Sequence, residues 1–424
     1  MLRVVPRSGG TWQDQSRESQ FALKSAPPRA VLAFGTVVSQ LRGLCRIEGF
    51  ELVRIAISGS GLYTPPESIS NAELVHAFNE YVRRYNIAHH DAIHSGAMHP
   101  LLKSSDEFIF KASGIRKRHV VSREGMLDPE VMCPRLPERR NDELSLSAEI
   151  GIAAARQALE AAHRSLADID GVVVSASILQ RPYPQIAIEI QEALGIKGFG
   201  FDMLAGCSSA TFGIQAAADM IARGHARAIL CINPEICTSH LNLRDRETHF
   251  IFGDAATATV LESAQHADGD NSWEIIGTRL KSIYSNNIRN NFGPMNRFTP
   301  ETMGAPDKLI TQKGRKVFKE VVPMVAEFML EHLAELGIAS SSIKRLWLHQ
   351  ANINMNDLIA RKVLGRDPAP NEAPNVLQEY GNTSSAGSII AFHQFSDDLA
   401  SGDLGHLCSF GAGYTAGSVV LRKL

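Results

Sequence analysis

The chain has 424 residues, 44% hydrophobic and 21% charged, with a formal net charge of −2. That length exceeds one ordinary domain, and the composition is that of a globular protein. Near-neutral charge argues against bulk electrostatic binding of nucleic acid. No apolar run reaches the length of a membrane span. The six cysteines form no CxxC pair and are too sparse for a disulfide scaffold, so a zinc ribbon is unexpected and a reducing, cytoplasmic setting is expected.

Residues 1–50 show no clear periodicity and read as a loosely ordered extension. Regular structure is expected from the strand-like run VRIAISGSGLYTPP (53–66), followed by a helix over 71–85. Two irregular insertions follow, near 86–104 and 125–143. The first is rich in histidine (His89, His90, His94, His99), but its spacing fits no ligand set on one helix face, so no metal is expected. From residue 146 helices and strands alternate: a helix over 146–165, a strand over 169–178, the helix IAIEIQEALG, the run GFGFDMLAG, a helix after Cys207 and the buried strand ARAILCINPE. This is the pattern of an α/β protein with helices covering a parallel or mixed sheet.

The last third repeats the order. KVFKEVVPMVAEFMLEHLAELG (316–337) reads as a helix that Pro323 must kink or begin. IKRLWLHQAN then parallels IDGVVVSASI, GNTSSAGSIIAFHQFSDDLASG parallels AGCSSATFGIQAAADMIARG, and GHLCSF parallels ARAILC. Two similar halves, 51–270 and 271–424, place a site at their shared centre.

Cys207 precedes a helix, where the dipole and free N–H groups lower a thiol pKa and favour thiolate. A buried structural cysteine would look much the same in isolation. The repeat alters the weighting. His349 ends one strand-like run, and Asn382 sits at the position mirroring the approach to Cys207. Cysteine, histidine and an amide form a set suited to acyl transfer through a thioester. The glycine-rich turn SFGAG (409–413) offers backbone amides to an oxyanion.

These segments resemble the thiolase superfamily, and more closely β-ketoacyl-[acyl-carrier-protein] synthase III. The motifs are AGCSSATFG around Cys207, IFGDAATA (251–258), LHQAN (348–352), YGNTSSAG (380–387), FGAGYTAGSVVL (410–421) and SGIRKRH (113–119), so the resemblance spans about 53–424. It implies a thiolase-like, five-layered αβαβα fold and a homodimer. It implies an acyl-accepting Cys207, with His349 and Asn382 promoting decarboxylation of malonyl-carrier protein. The backbone amides of Cys207 and Ala412 would hold the oxyanion. No metal or redox cofactor is implied, and coenzyme A enters as a substrate thioester. Thiolases carry a second cysteine in the C-terminal glycine turn; here Cys408 lies before it, with Phe410 between.

The resemblance also assigns contacts to coenzyme A or pantetheine (Phe108, Arg116, Arg246, Asn352) and an acyl-pocket cap across the dimer (Tyr183). Docking of acidic carrier protein would fall to Arg116, Lys319, Arg361 and Lys362. DEFIFKASGIR departs from the family pattern: Phe108 replaces a tryptophan, and Ala112 an arginine, that hold the adenine. The two insertions are expected to reshape the pocket for a primer longer than acetyl. A thioester hydrolase, a secondary-metabolite condensing enzyme or a non-catalytic acyl-binding paralogue remain as alternatives.

Overall fold

The computed structural model describes residues 53–291, 301–302 and 305–424; the expected extension over 1–50 lies outside the described residues. The strands are β1 (Ile55–Tyr63), β2 (Glu67–Ser70), β3 (Lys117–Val120), β4 (Gly171–Ala176), β5 (Phe199–Leu204), β6 (Ala228–Ile236), β7 (Asp254–Ser263), β8 (Trp273–Ser282), β9 (Ile288–Arg289), β10 (Thr311–Gln312), β11 (Ile343–Leu348), β12 (Leu404–Gly411) and β13 (Thr415–Lys423). The helices are α1 (Asn71–Ala88), α2 (His90–His94), α3 (Asp106–Ser113), α4 (Leu146–Ala161), α5 (Ile186–Leu194), α6 (Ser209–Ala222), α7 (Gly314–Glu335), α8 (Ile353–Leu364), α9 (Leu377–Tyr380) and α10 (Ala386–Gln394).

Strand order is β11-β12-β13-β8-β1-β7-β6-β4-β5. It divides into two sets that meet only where Ala56 and Ile57 of β1 pair with Glu274 and Trp273 of β8. The sets share one wiring. β4 runs parallel to β6, and β6 antiparallel to β7. Correspondingly, β11 runs parallel to β12, and β12 antiparallel to β13. Among the described residues, strand β5 has no counterpart and forms an edge of the sheet.

The layering follows from side-chain alternation. Val173 of β4 faces a core built from α6 (Ile214, Ala217) and α10 (Ile389, Phe392), which strands of the other set also enter through Trp347 and Val419. Val172 and Val174 point the other way, onto α4 and α5. Leu346, Leu348 and Val420 likewise face α7 and α8. Helices therefore cover both faces of both strand sets, giving five layers, αβαβα. Double coverage explains why GVVVSA in β4 is buried at every position. The alanine-rich composition of α6 suits a helix squeezed between two strand layers.

A cap packs over one end, with Phe78 of α1, Ile109 of α3 and Phe250 in its core. The insertions belong to this region. Residues 86–94 continue α1 and form α2, while 125–143 stay irregular and anchor through buried Met126 and Met132. His89 stacks on Tyr85 at 4.2 Å. Among the described residues no group of three His, Cys, Asp or Glu side chains is placed to hold a metal ion. No described helix is long and apolar enough to cross a membrane.

Pro323 does not begin a helix, as one reading of the sequence had it: α7 starts at Gly314 and runs through it. Pro323 and Lys319, four residues earlier, are both exposed, so the Lys319 carbonyl that loses its helical N–H partner can be solvated.

Candidate active site

Cys207 lies in a short turn, Gly206–Ser208, between the end of β5 and α6. Two constraints hold it. Gly206 adopts φ 57°, in the left-handed region, which lets the chain reverse before the helix. Ser208 Oγ donates to the Thr415 carbonyl at 2.9 Å, and Thr415 Oγ1 donates to the Ala205 carbonyl at 3.2 Å. These bonds fasten the nucleophile turn to the glycine-rich turn after β12. A Cβ at Gly411 would fall 2.8 Å from Cys207 Sγ, so only glycine fits there. The backbone amides of Ala412 and Cys207 both approach the thiol. These are the two amides that the resemblance assigns to the oxyanion.

His349 follows β11. Its N–H donates to the Cys408 carbonyl at 2.8 Å, and its ring meets Phe410 edge-on at 5.3 Å. Nδ1 is sealed in the protein without a well-formed hydrogen bond, while the residue lines the same cavity as Cys207. Burial pulls the imidazole down to about 4, opposed by a contact with the Ser384 backbone, so His349 is neutral at pH 7.

Asn382 explains the IFGDAATA motif. Its N–H donates to the Ile251 carbonyl at 2.9 Å, and its carbonyl accepts from Gly253 N–H at 3.1 Å. Its Oδ1 accepts the Ser384 N–H at 2.8 Å. The amide orientation follows: the oxygen is occupied, and Nδ2 is left to donate. Asp254, next in the motif, accepts from Thr238 N–H, Thr238 Oγ1 and Val121 N–H at 2.9, 2.7 and 2.9 Å, and burial raises it to about 6.

Cys207, His349, Asn382, Ser384 and Ala412 border one cavity of about 690 Å³. One end is walled by Phe108, Ala112, Glu247 and Asn352, with Val317, Val321, Ile288, Ile310 and Phe252 supplying apolar lining. Polar groups gathered around one thiol in an otherwise apolar cavity suit an acyl thioester.

Several expectations need correction. The helix dipole does not set the Cys207 pKa: burial raises the thiol above the ordinary cysteine value, and nearby Glu235 adds to the rise. The resting group is a thiol, because desolvation of the charged form outweighs the opposing contributions of the Ser384 side chain and the Ala412 and Cys207 amides. Phe108 and Arg246 do not leave a slot for a base between them. The Arg246 guanidinium lies 3.7 Å over the Phe108 ring, with Nε donating to the Lys103 carbonyl at 2.8 Å. That separation is van der Waals contact, so a nucleotide must displace the arginine to stack there. Asn352 is largely committed: Oδ1 caps α8 by accepting from Asn354 and Met355 N–H, and Nδ2 donates to the Ala112 carbonyl. Arg116 stacks over Phe110 at 4.0 Å and does not line the cavity. Neither insertion contributes a lining residue; around the site the walls come from the cap, α7 and the start of α8.

Tyr183 is 79% exposed and does not line this chain's cavity. Lys319 on α7 and Arg361 and Lys362 on α8 are exposed, and Arg361 pairs with Asp367. Arg315, which lines the cavity, is on the same helix as Lys319.

One buried group was missed. Glu235 on β6 is fully buried and accepts from Ser177 N–H at 2.8 Å, Ser177 Oγ at 2.6 Å, Ser385 N–H at 3.1 Å and Ser385 Oγ. It ties the two halves together through Ser177 and Ser385. The signal was a lone acid inside the apolar run AILCINPEIC.

A condensing enzyme of the thiolase type is the class that this fold and site define. The chain belongs to the 3-oxoacyl-[acyl-carrier-protein] synthase III family. Its residues 201–283 match the 3-oxoacyl-[acyl-carrier-protein] synthase III model and 333–423 the family's C-terminal model. It is 59% identical over 347 residues to the β-ketodecanoyl-[acyl-carrier-protein] synthase of Pseudomonas aeruginosa, covering 82% of this chain and 99% of that relative. It is 35% identical to the β-ketoacyl-[acyl-carrier-protein] synthase III of a Chelativorans species, over 76% of this chain and 92% of that one. Among solved structures, the 3-oxoacyl-[acyl-carrier-protein] synthase III of Aquifex aeolicus superposes with a TM-score of 0.67 at 24% identity, covering 87% of this chain and 99% of that one. That likeness establishes the fold.

Proposed function

We propose that the protein condenses an acyl-thioester primer with malonyl-[acyl-carrier-protein], releasing carbon dioxide and a β-ketoacyl-carrier protein that initiates fatty-acid synthesis. The observation that carries this reading is the convergence of Cys207, His349, Asn382 and the Ala412 amide on one largely apolar cavity.

In the first half-reaction the Cys207 sulfur attacks the primer carbonyl, forming an S–C bond. The primer's own C–S bond breaks. The thiol proton passes through neutral His349 to the departing thiolate, and the amides of Cys207 and Ala412 hold the tetrahedral oxyanion. In the second, malonyl-carrier protein loses its carboxylate as carbon dioxide. The electron pair left behind spreads onto the thioester oxygen, where His349 and Asn382 Nδ2 donate hydrogen bonds. The carbanion attacks the acyl-Cys207 carbonyl, a C–C bond forms, and the C–S bond to Cys207 breaks, leaving a thiolate that takes up a proton from solvent. Loss of carbon dioxide drives bond formation, so the chemistry calls for no metal or redox cofactor.

The primer has about eight carbons on this reading. The Pseudomonas aeruginosa relative is named for a ten-carbon product, and decarboxylative condensation adds two. Val317, Val321, Ile288 and Ile310 supply apolar wall for such a chain. Coenzyme A and acyl carrier protein would be the thioester partners, the latter received by Arg315, Lys319 and Lys362 near α7 and α8.

A homodimer in the cytoplasm completes the proposal. Strand β5 is an open sheet edge, and Tyr183, Ile188 and Leu204 beside it are 79%, 42% and 61% exposed. A bare apolar edge is a place for a second copy to pair. The five described cysteines are free, and an essential thiol suits a reducing compartment. The test is turnover of octanoyl-coenzyme A with malonyl-carrier protein. The expected product is β-ketodecanoyl-carrier protein. Free octanoate alone would favour a thioester hydrolase.

A further inference from the structure

Ser384 touches every part of the site, yet neither its sequence position nor the family motifs give its side chain a task. Its N–H donates to Asn382 Oδ1 at 2.8 Å. Its backbone meets the His349 ring. The residue borders the cavity with Cys207. The residue is 2% exposed, and its Oγ is sealed from solvent without a hydrogen bond of ordinary geometry inside the protein.

Its backbone is also strained. Ser384 sits at φ 50°, in the left-handed region that favours glycine. A buried hydroxyl without a partner and a non-glycine residue at positive φ are each unfavourable. The neighbours do better: Ser385 Oγ donates to Glu235. In the other half, Ser208 Oγ donates to the Thr415 carbonyl at 2.9 Å and Ser209 Oγ to the Ala176 carbonyl at 2.8 Å. Serine at 384 gains nothing structural from its hydroxyl that alanine or glycine would lose.

We propose that Ser384 is a positioning residue for the nucleophile: its hydroxyl donates a hydrogen bond to the Cys207 sulfur when that sulfur carries negative charge, while its strained backbone fixes His349 and the Asn382 amide around it. Both residues border one cavity, and a hydrogen bond from this hydroxyl would favour the thiolate form of Cys207, opposing the burial that disfavours it. Uncharged sulfur is a weak acceptor, so the bond strengthens as the thiolate forms and again when it is expelled after condensation. The inference rests on the acyl-transfer reading only for its role in turnover. The sulfur–hydroxyl contact stands or falls separately.

Two variants test it. Ser384→Ala removes the hydroxyl and keeps the strain; Ser384→Gly removes the hydroxyl and relieves it. The first readout is the pH dependence of Cys207 alkylation by iodoacetamide, followed by intact mass, which needs no substrate. Both variants should alkylate on the order of tenfold more slowly at pH 7, with the profile displaced by about one pH unit to higher pH. The second readout is octanoyl transfer from octanoyl-coenzyme A, where kcat should fall and KM stay unchanged. A wild-type alkylation profile in the glycine variant would overturn the proposal, whatever the alanine variant does. Displaced alkylation profiles in a protein whose wild type transfers no acyl group would leave the contact standing and refute the acyl-transfer reading instead.

Discussion

The two halves use one local design for opposite purposes. In each, a turn bearing two serines leads into a small-residue helix, entered from strand β5 in the first half and from the short helix α9 in the second. In the first half the turn is Gly206–Ser208, both serines are hydrogen-bonded to backbone, and the helix is 14 residues long. In the second the helix has 9 residues, Asn382 is gripped by the 251–253 backbone, and Thr383 and Ser384 keep buried hydroxyls without ordinary partners. The first half spends its polar groups on holding a thiol still. The second leaves donors free around it. On the proposed reading, a repeated scaffold separates the nucleophile from the groups that stabilise charge and brings them together where the halves meet.

That division can be broken most severely on the nucleophile side. Cys207→Ala should abolish condensation, a loss on the order of 10⁴ or more, and should remove the acyl adduct seen by intact mass. Asn382→Ala, on the opposite side, should slow condensation by roughly 10²–10³ while acyl transfer to Cys207 persists. Single-turnover acylation separates the two. Equal loss in both half-reactions would show that the halves do not divide the work.

Next in size is acid stability. His240, His249, His332 and His349 are lowered to about 4, and His406 to about 3, in each case chiefly by burial. Their folded pKa lies below the unfolded value, so the stability they carry is intact above about 6.5 and is lost as pH falls towards 4. Asp254, raised to about 6 by burial, works against this: its ionised form costs stability in full above about 6, and that cost is relieved as pH falls from about 6 to 4. Five histidines outweigh it, and Tm should fall on acidification from pH 6.5 to 4. A flat thermal profile across that window would contradict the burial argument. The smallest effect is at the rim: Lys362→Glu should raise KM for malonyl-carrier protein a few-fold and leave acylation by octanoyl-coenzyme A unchanged.

Much of the site was legible because its residues announce themselves locally. Cys207 before a helix, His349 after a strand and Asn382 in a mirrored motif could be aligned from the repeat alone. The five layers follow from the same repeat once the strands are seen to be buried on both faces. What escaped depends on distance through space. The raised Cys207 pKa comes from burial and from Glu235, 28 positions along the chain. The closed Phe108–Arg246 pair, the Asn352 carboxamide bonded to both α8 and the Ala112 carbonyl, and the insertions lying off the cavity are all facts of packing. The Ser384 strain has no sequence signal, because serine gives no warning of positive φ.

The central claim is that one thiol is acylated and then discharged onto carbon. Intact-mass measurement after mixing with octanoyl-coenzyme A tests it most directly, followed by addition of malonyl-carrier protein. The account predicts a single octanoyl adduct on Cys207, absent from Cys207→Ala, that disappears as β-ketodecanoyl-carrier protein forms. No adduct on the wild type, or an adduct that survives in Cys207→Ala, would contradict it.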